Sequence, residues 1–208
     1  MSASNRSTIR TSQIASPESP DPNLGADLLS VNDQRTLLRL AHESILSGLE
    51  QREISLEPPS ASLAEARGVF TSLYLGGQLR GCVGYVRPEV SLYRAVAESA
   101  RAAAFADTRF SPVTKEDAPQ ICVELSVLSP LHPIAPHEIE VGRHGLLITM
   151  NGYRGLLLPQ VAVEHGWDRT TFLEQTCRKA GLPLNAWHEG AAIEAFTAQV
   201  FGEKNNAG

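Results

Sequence analysis

The chain is poor in cysteine, with Cys82, Cys122 and Cys177 in 208 residues. Three is an odd number, the spacings are long, and no C-x-x-C pair is present to chelate zinc or run a dithiol couple. Reduced thiols are expected, and a reduced thiol is by default a small apolar packing residue. Also missing are a Walker loop, G-x-G-x-x-G, G-x-S-x-G and H-E-x-x-H, so the common nucleotide and hydrolase readings have no support. Nothing in the sequence calls for a cofactor or a metal. There is no basic excess: 18 Lys and Arg against 23 Asp and Glu leave a net charge of −5. That argues against a nucleic-acid backbone or an anionic membrane as the main partner, though not against a local basic patch. No apolar run approaches the roughly 18 residues that span a bilayer, and MSASNRSTIRTSQ lacks the hydrophobic segment of a signal peptide. A cytoplasmic protein with no membrane association is expected.

What is present is the composition of an ordinary globular protein, 42% hydrophobic and 20% charged. Residues 1–29, rich in Ser, Pro and Asn, have no sustained period and are expected to form a flexible tail; an organellar transit peptide is the minor alternative. Residues 30–202 are expected to form a single domain of two lobes, and 203–208 a C-terminal tail. Ser30 with Asp33 three residues on is an aspartate variant of the capping box, and Leu37, Ala41, Ile45 and Leu49 set a helical stripe running to about Glu50. VFTSLYL, Gly76-Gly77 and LRGCVGYV read as a hairpin, followed by an Ala-rich helix suited to close packing on another backbone layer. ICVELSVLSP alternates as a strand with one apolar and one mainly polar face. LLITMNGYRGLLLP is a second hairpin with Asn151-Gly152 at its tip. QVAVEH is a short helix, Asp168 can cap the helix RTTFLEQTCRKA, and 193–201 reads as one closing strand. Helices and hairpins without a βαβ rhythm predict an α+β fold of mainly antiparallel sheets.

Strand alternation puts Arg80, Cys82 and Gly84 on one face of LRGCVGY, with Leu79, Gly81, Val83 and Tyr85 on the core face. A guanidinium beside a thiol favours the thiolate, which is the nucleophile or metal ligand, and Gly81 and Gly84 let a ligand or another strand approach the backbone. The plainer reading makes Cys82 a packing residue and Arg80 an ion-pair residue. Glu124, on the polar face with Cys122 and Ser126, is either solvated or a carboxylate serving a cleft; on a strand next to Arg80 it would pair with it. His144, between glycines before a strand, is a candidate proton acceptor from Cys82 or a turn histidine bonded to backbone. Arg109 in TRF can clamp an anion or pair with a carboxylate. His132 and His137, in HPIAPH, fit an irregular loop better than a metal site, and Cys177 falls on the core stripe of its helix.

LRGCVGY, TRFSPV, VELSVLSPLHPI, GRHGLLIT and GLLLPQVAVEHGWDRTTFLEQTCRKAGLP, in that order, closely resemble the AMMECR domain family, whose prokaryotic members are called AmmeMemoRadiSam system protein A. The hallmark is LRGC followed by an aliphatic residue and glycine, matched by Leu79 to Gly84 with valine as the aliphatic. The resemblance covers about residues 30–202. It implies an α+β domain of two unequal lobes with mainly antiparallel sheets flanked by helices, and a cleft near the hallmark strand. It also implies association with a Memo-like protein and a radical S-adenosylmethionine enzyme. It implies no particular reaction.

Two functions follow from the residues. One is an enzyme or enzyme component in which Cys82 is a nucleophile or covalent carrier, Arg80 tunes it or binds an anion, and Glu124 or His144 moves protons. Gly81, Gly84, Arg109 and Ser126 would then line the ligand. The other is an accessory protein whose cleft presents a small molecule, a peptide or an RNA end to partner enzymes.

Overall fold

A computed structural model describes residues 28–87 and 89–203; most of the two tails lies outside the described residues. Leu29, which the sequence reading places in the N-terminal tail, is 4% exposed. Its backbone exchanges hydrogen bonds with the Gln199 side chain at 2.9 and 3.3 Å.

Two four-stranded antiparallel sheets carry the fold, each with its own hydrophobic cluster. The elements in chain order are α1 (Val31–Glu50), α2 (Ala61–Ala64), β1 (Val69–Leu75), β2 (Gln78–Tyr85), α3 (Leu92–Phe105), β3 (Cys122–Leu128), β4 (His132–Pro133), β5 (Gly145–Met150), β6 (Tyr153–Leu157), α4 (Pro159–Glu164), α5 (Arg169–Lys179), β7 (Ala192–Phe196) and β8 (Ala198–Gly202). The first sheet runs β2-β1-β3-β8 and the second β4-β7-β5-β6. The α+β class expected from sequence is the class observed.

Helix α1 starts where its capping box predicts. The Ser30 hydroxyl accepts from the Asp33 N–H at 3.1 Å and donates to its carboxylate at 2.8 Å. Burial raises the Asp33 carboxyl, but the hydroxyls of Ser30, Ser60 and Ser62 more than offset this and hold it low. The same contacts tie the start of α1 to the short α2, which the sequence reading does not contain. α3 lies between α1 and the first sheet, and its small side chains let it sit almost on the β1–β2 backbone. A buried hydroxyl pair, Thr71 with Ser99 at 2.7 Å, marks the face of β1 that meets α3. In the second sheet α5 packs on β5 and β6 and is capped by Asp168, whose carboxylate accepts from Thr171 N–H at 2.8 Å.

The expected closing strand at 193–201 is two strands. β7 ends in the second sheet and β8 begins in the first, with Thr197 between them. The chain changes sheet there because Ser129, at the matching crossing from β3 towards β4, takes over the pairing. Its N–H donates to Thr197 C=O at 2.9 Å and its hydroxyl accepts from Thr197 N–H at 2.9 Å. His132 and Pro133, expected in an irregular loop, form the short β4 against β7. Among the described residues no helix is long and apolar enough to cross a membrane.

Candidate functional site

β2 is an edge strand of the first sheet, and its pairing with β1 is not uniform. Leu73 faces Gly81 but Tyr74 faces Leu79, so Arg80 is an extra residue, a β-bulge. The bulge corrects the alternation expected from sequence. Across it, Leu79 joins the face of Cys82 and is 41% exposed, while Gly81 points to α3. Arg80 leaves that row altogether. Its guanidinium donates to the backbone carbonyls of Ser111 and Pro112 and lies 3.6 Å from the Asp117 carboxylate. It fastens the loop after α3 to the sheet edge.

Both hallmark glycines have packing reasons. A Cβ on Gly81 would fall 2.1 Å from the carbonyl oxygen of Ala103 in α3. A Cβ on Gly84 would fall 2.4 Å from the Phe70 ring, which fills the space beside Cys82 that the sequence reading leaves open.

Cys82 is held from the side where a further strand would otherwise lie. Its N–H donates to the Asp107 carboxylate at 2.9 Å, and its C=O accepts from the Arg109 guanidinium at 3.1 Å. Asp107 and Arg109 are themselves paired at 2.7 Å, so a side-chain pair replaces the missing backbone partner. Arg109 thus pairs with a carboxylate, the second of its two sequence readings. Its hydrogen bond to Asp107, aided by the Cys82 N–H, holds that carboxyl well below the usual carboxylate range against the opposing effect of burial.

Because the backbone of Cys82 faces outward, Cys82 and Ser72 form a non-hydrogen-bonded pair, the kind in which opposed side chains come closest. The Ser72 hydroxyl accordingly donates to Cys82 Sγ at 3.4 Å. Ser72 also faces Glu124 on β3, so thiol, hydroxyl and carboxylate form one row across β2, β1 and β3. Glu124 accepts from the Tyr74 hydroxyl at 3.4 Å. β1 separates it from β2, and Arg80 is turned away, so the Arg80–Glu124 pair considered from sequence is absent. Burial, and then the charge of Glu124, push the Tyr74 phenol up and keep it a proton donor. Cys122 faces Tyr74 on the same side, and all these side chains are half-buried. Ser126, opposite Phe70 and Val200 in the next row, is only 4% exposed.

His144 lies elsewhere. It precedes β5 in the second sheet, is 8% exposed, and its Nδ1 accepts from the Glu140 N–H at 3.1 Å, the backbone-bonded turn the sequence also allowed. Its ring stands edge-on to His132, with centroids 6.4 Å apart. No group of three or more His, Cys, Asp or Glu among the described residues is disposed to hold a metal ion. The residues that sequence reasoning missed are Ser72, Tyr74 and Asp107. The first two carried a signal, since they alternate with Thr71 and Leu73 in VFTSLYL as a polar face would.

The AMMECR1 family's sequence pattern matches residues 38–201. The chain belongs to the AMMECR1 family. A protein of Methanopyrus kandleri, MK0488, is 42% identical over 192 residues, covering 86% of this chain and 93% of its own. A protein of Aquifex aeolicus is 38% identical over 186 residues, covering 85% of this chain and 95% of its own. The crystal structure of uncharacterized protein PH0010 from Pyrococcus horikoshii is similar with a TM-score of 0.73 and 41% identity, covering 81% of this chain and 90% of that one. The AMMECR1 match covers β1, β2 and β3 in full, and brings no assigned reaction with it.

Proposed function

We propose that this AMMECR1 protein is an enzyme or enzyme component whose working surface is the face of the first sheet opposite α3, with Cys82 as nucleophile or covalent carrier. The observation that carries this reading is the Cys82–Ser72–Glu124 row. A thiol, a hydroxyl directed at its sulfur and a carboxylate stand side by side on a half-open face. The Ser72 hydroxyl steadies the sulfur, and Glu124 with Tyr74 forms the proton-transfer pair. Arg80 and the Asp107–Arg109 pair are positioning residues that fix the bulge and the Cys82 backbone. His144 has a place only in a substrate complex that spans both sheets. The partners implied by the family resemblance, a Memo-like protein and a radical S-adenosylmethionine enzyme, and a cytoplasmic location belong to the same proposal.

The test is made in the native host. A Cys82→Ala strain should accumulate the same species as a strain without the protein, in untargeted metabolite and modified-nucleoside profiles. A Cys82→Ser strain with a wild-type profile would overturn the reading.

A second reading is favoured by a specific observation: Arg80, Gly81 and Gly84 are each accounted for by packing. On that reading the hallmark shapes the strand for docking and the protein is an accessory that presents a small molecule, a peptide or an RNA end to its partners. It requires Cys82→Ser to keep function and partner binding.

A further inference from the structure

The strands that end the two sheets are β2 and β8 in the first and β4 and β6 in the second. An open strand edge offers its N–H and C=O groups to any other strand, and folds blunt such edges with bulges, charges, proline or shortness. β2 has its bulge and the Asp107–Arg109 clip, β4 is two residues long and contains Pro133, and β6 carries the exposed Arg154. β8 has none of these. The Thr197 C=O accepts from the Ser129 N–H at 2.9 Å and the Glu203 N–H donates to the Val123 C=O at 3.0 Å, so the odd-numbered residues along β8 bond to β3. Alternation then turns the N–H and C=O of Ala198, Val200 and Gly202 outward, where they have no hydrogen-bond partner among the described residues. Val200 is 44% exposed, and beside it Leu29, tied to Gln199, is flanked by Leu28 and Val31, which are 58% and 62% exposed. Residues 28–32 and 196–202 contain no charged side chain.

We infer that β8 is where a second copy of this chain docks, edge to edge across a two-fold axis through Val200. The outward residues are symmetric about that position. Antiparallel pairing sets Val200 of one copy against Val200 of the other and Ala198 against Gly202, which completes the ladder and joins two four-stranded sheets into one of eight strands. The side chains at these positions are apolar or absent, so the contact buries no side-chain polar group. The next pair out opposes Thr197 to Glu203, so no like charges meet, and the Glu203 carboxylate is already engaged with His42 and the Val123 N–H at 2.9 Å. Charge favours a copy over an unlike protein. Two chains that each carry −5 repel and can meet only across an uncharged surface, whereas a partner chosen by charge needs ionic side chains beside the strand, and the segments that form this edge hold none. Leu28 and Val31, on the α1 side of the same edge, add apolar area to the contact. The interface is narrow, so the dimer is dissociable rather than obligate.

The full chain is followed by sedimentation equilibrium from about 5 µM to about 1 mM, a range over which mass action moves a dissociable pair from one chain to two. The average mass is expected to rise from that of one chain towards that of two. Val200→Lys, which sets two ammonium groups face to face on the axis, is expected to stay at one chain throughout. Amide exchange of the wild-type chain by NMR gives a second readout, so the answer does not depend on how well the variant folds. The N–H groups of Ala198, Val200 and Gly202 are expected to exchange about tenfold more slowly at the top of the concentration series than at the bottom, while those of Gln199 and Phe201, bonded to β3, stay slow throughout. The mass of one chain at every concentration, or association of equal strength in Val200→Lys, would overturn the assignment. Protection of the three outward amides that does not change with concentration would also overturn it, and its loss on removal of residues 1–27 would give the edge to the chain's own N-terminal segment.

Discussion

The two hairpins, β1–β2 and β5–β6, are built alike up to a point. Each turns at a two-residue tip with both φ angles positive, Gly76-Gly77 at 56° and 77° and Asn151-Gly152 at 51° and 83°, as a tight hairpin of native twist needs. Each has a glycine in its second strand where a helix crosses. A Cβ on Gly81 would meet Ala103 of α3 at 2.1 Å, and one on Gly155 would meet Ala180, just past α5, at 2.3 Å. Beyond that they diverge. β5–β6 pairs without a break from Leu146–Leu157 to Met150–Tyr153, whereas β1–β2 slips by one residue at Arg80 and has its edge closed by Asp107 and Arg109. The shared features serve helix-on-hairpin packing in both halves. The features peculiar to the first hairpin converge on Cys82, whose half-buried thiol accepts from the Ser72 hydroxyl.

The largest expected effect is therefore common to both hairpins. Gly81→Ala and Gly155→Ala each force a methyl into helix backbone that cannot rotate away, and each should cost about 3 kcal/mol or more in urea unfolding. A mild effect at one and a severe one at the other would break the parallel.

Next comes the edge clip, which only the first hairpin has. Asp107→Ala leaves the Cys82 N–H and the Arg109 guanidinium without their acceptor and should cost about 1–3 kcal/mol. The pH dependence has a definite sign. A carboxyl whose folded value lies below its unfolded value of about 3.9 contributes stability that is full above that value and is lost as pH falls towards the folded one. Wild type should lose stability from about pH 4 downwards more steeply than Asp107→Asn, as measured by urea midpoints across that range. Parallel curves would show that Asp107 is not held low by this contact.

At the hairpin tips the two halves should again agree. Asn151→Ala and Gly76→Ala place alanine in the left-handed region and should each cost about 1 kcal/mol. The smallest expected change in stability is that of Cys82→Ser, within about 1 kcal/mol, since the residue is half-buried and the hydroxyl keeps a partner in Ser72. A loss of several kcal/mol there would mark Cys82 as a core residue.

These contrasts show why the sequence carried the fold further than the site. Turn residues, the Ser30 and Asp168 caps and the alternation in β3 are local signals, and each lies where the chemistry of its own segment predicts. The bulge at Arg80 is not local. One extra residue in an eight-residue strand leaves the composition unchanged and becomes visible only in the pairing with β1, so alternation alone placed Arg80 beside Cys82. The cover that Phe70 gives Gly84, and the reach of Asp107 back to the Cys82 backbone, join segments 14 and 25 residues apart, which no periodicity within one segment reports. The change of sheet at Thr197 was hidden for the same reason: the two strands read as one run, and only Ser129, 68 residues away, separates them.

The central claim, that Cys82 is presented for chemistry on a strand whose Gly81 and Gly84 are fixed by packing, is met most directly by peptide-resolved iodoacetamide labelling of the folded chain. Cys177 is the internal control, fully buried on the core side of α5 and with its thiol pushed up by burial. Cys82 should label in the native protein while Cys177 waits for denaturant; protection of Cys82 to the same degree as Cys177 would contradict the claim.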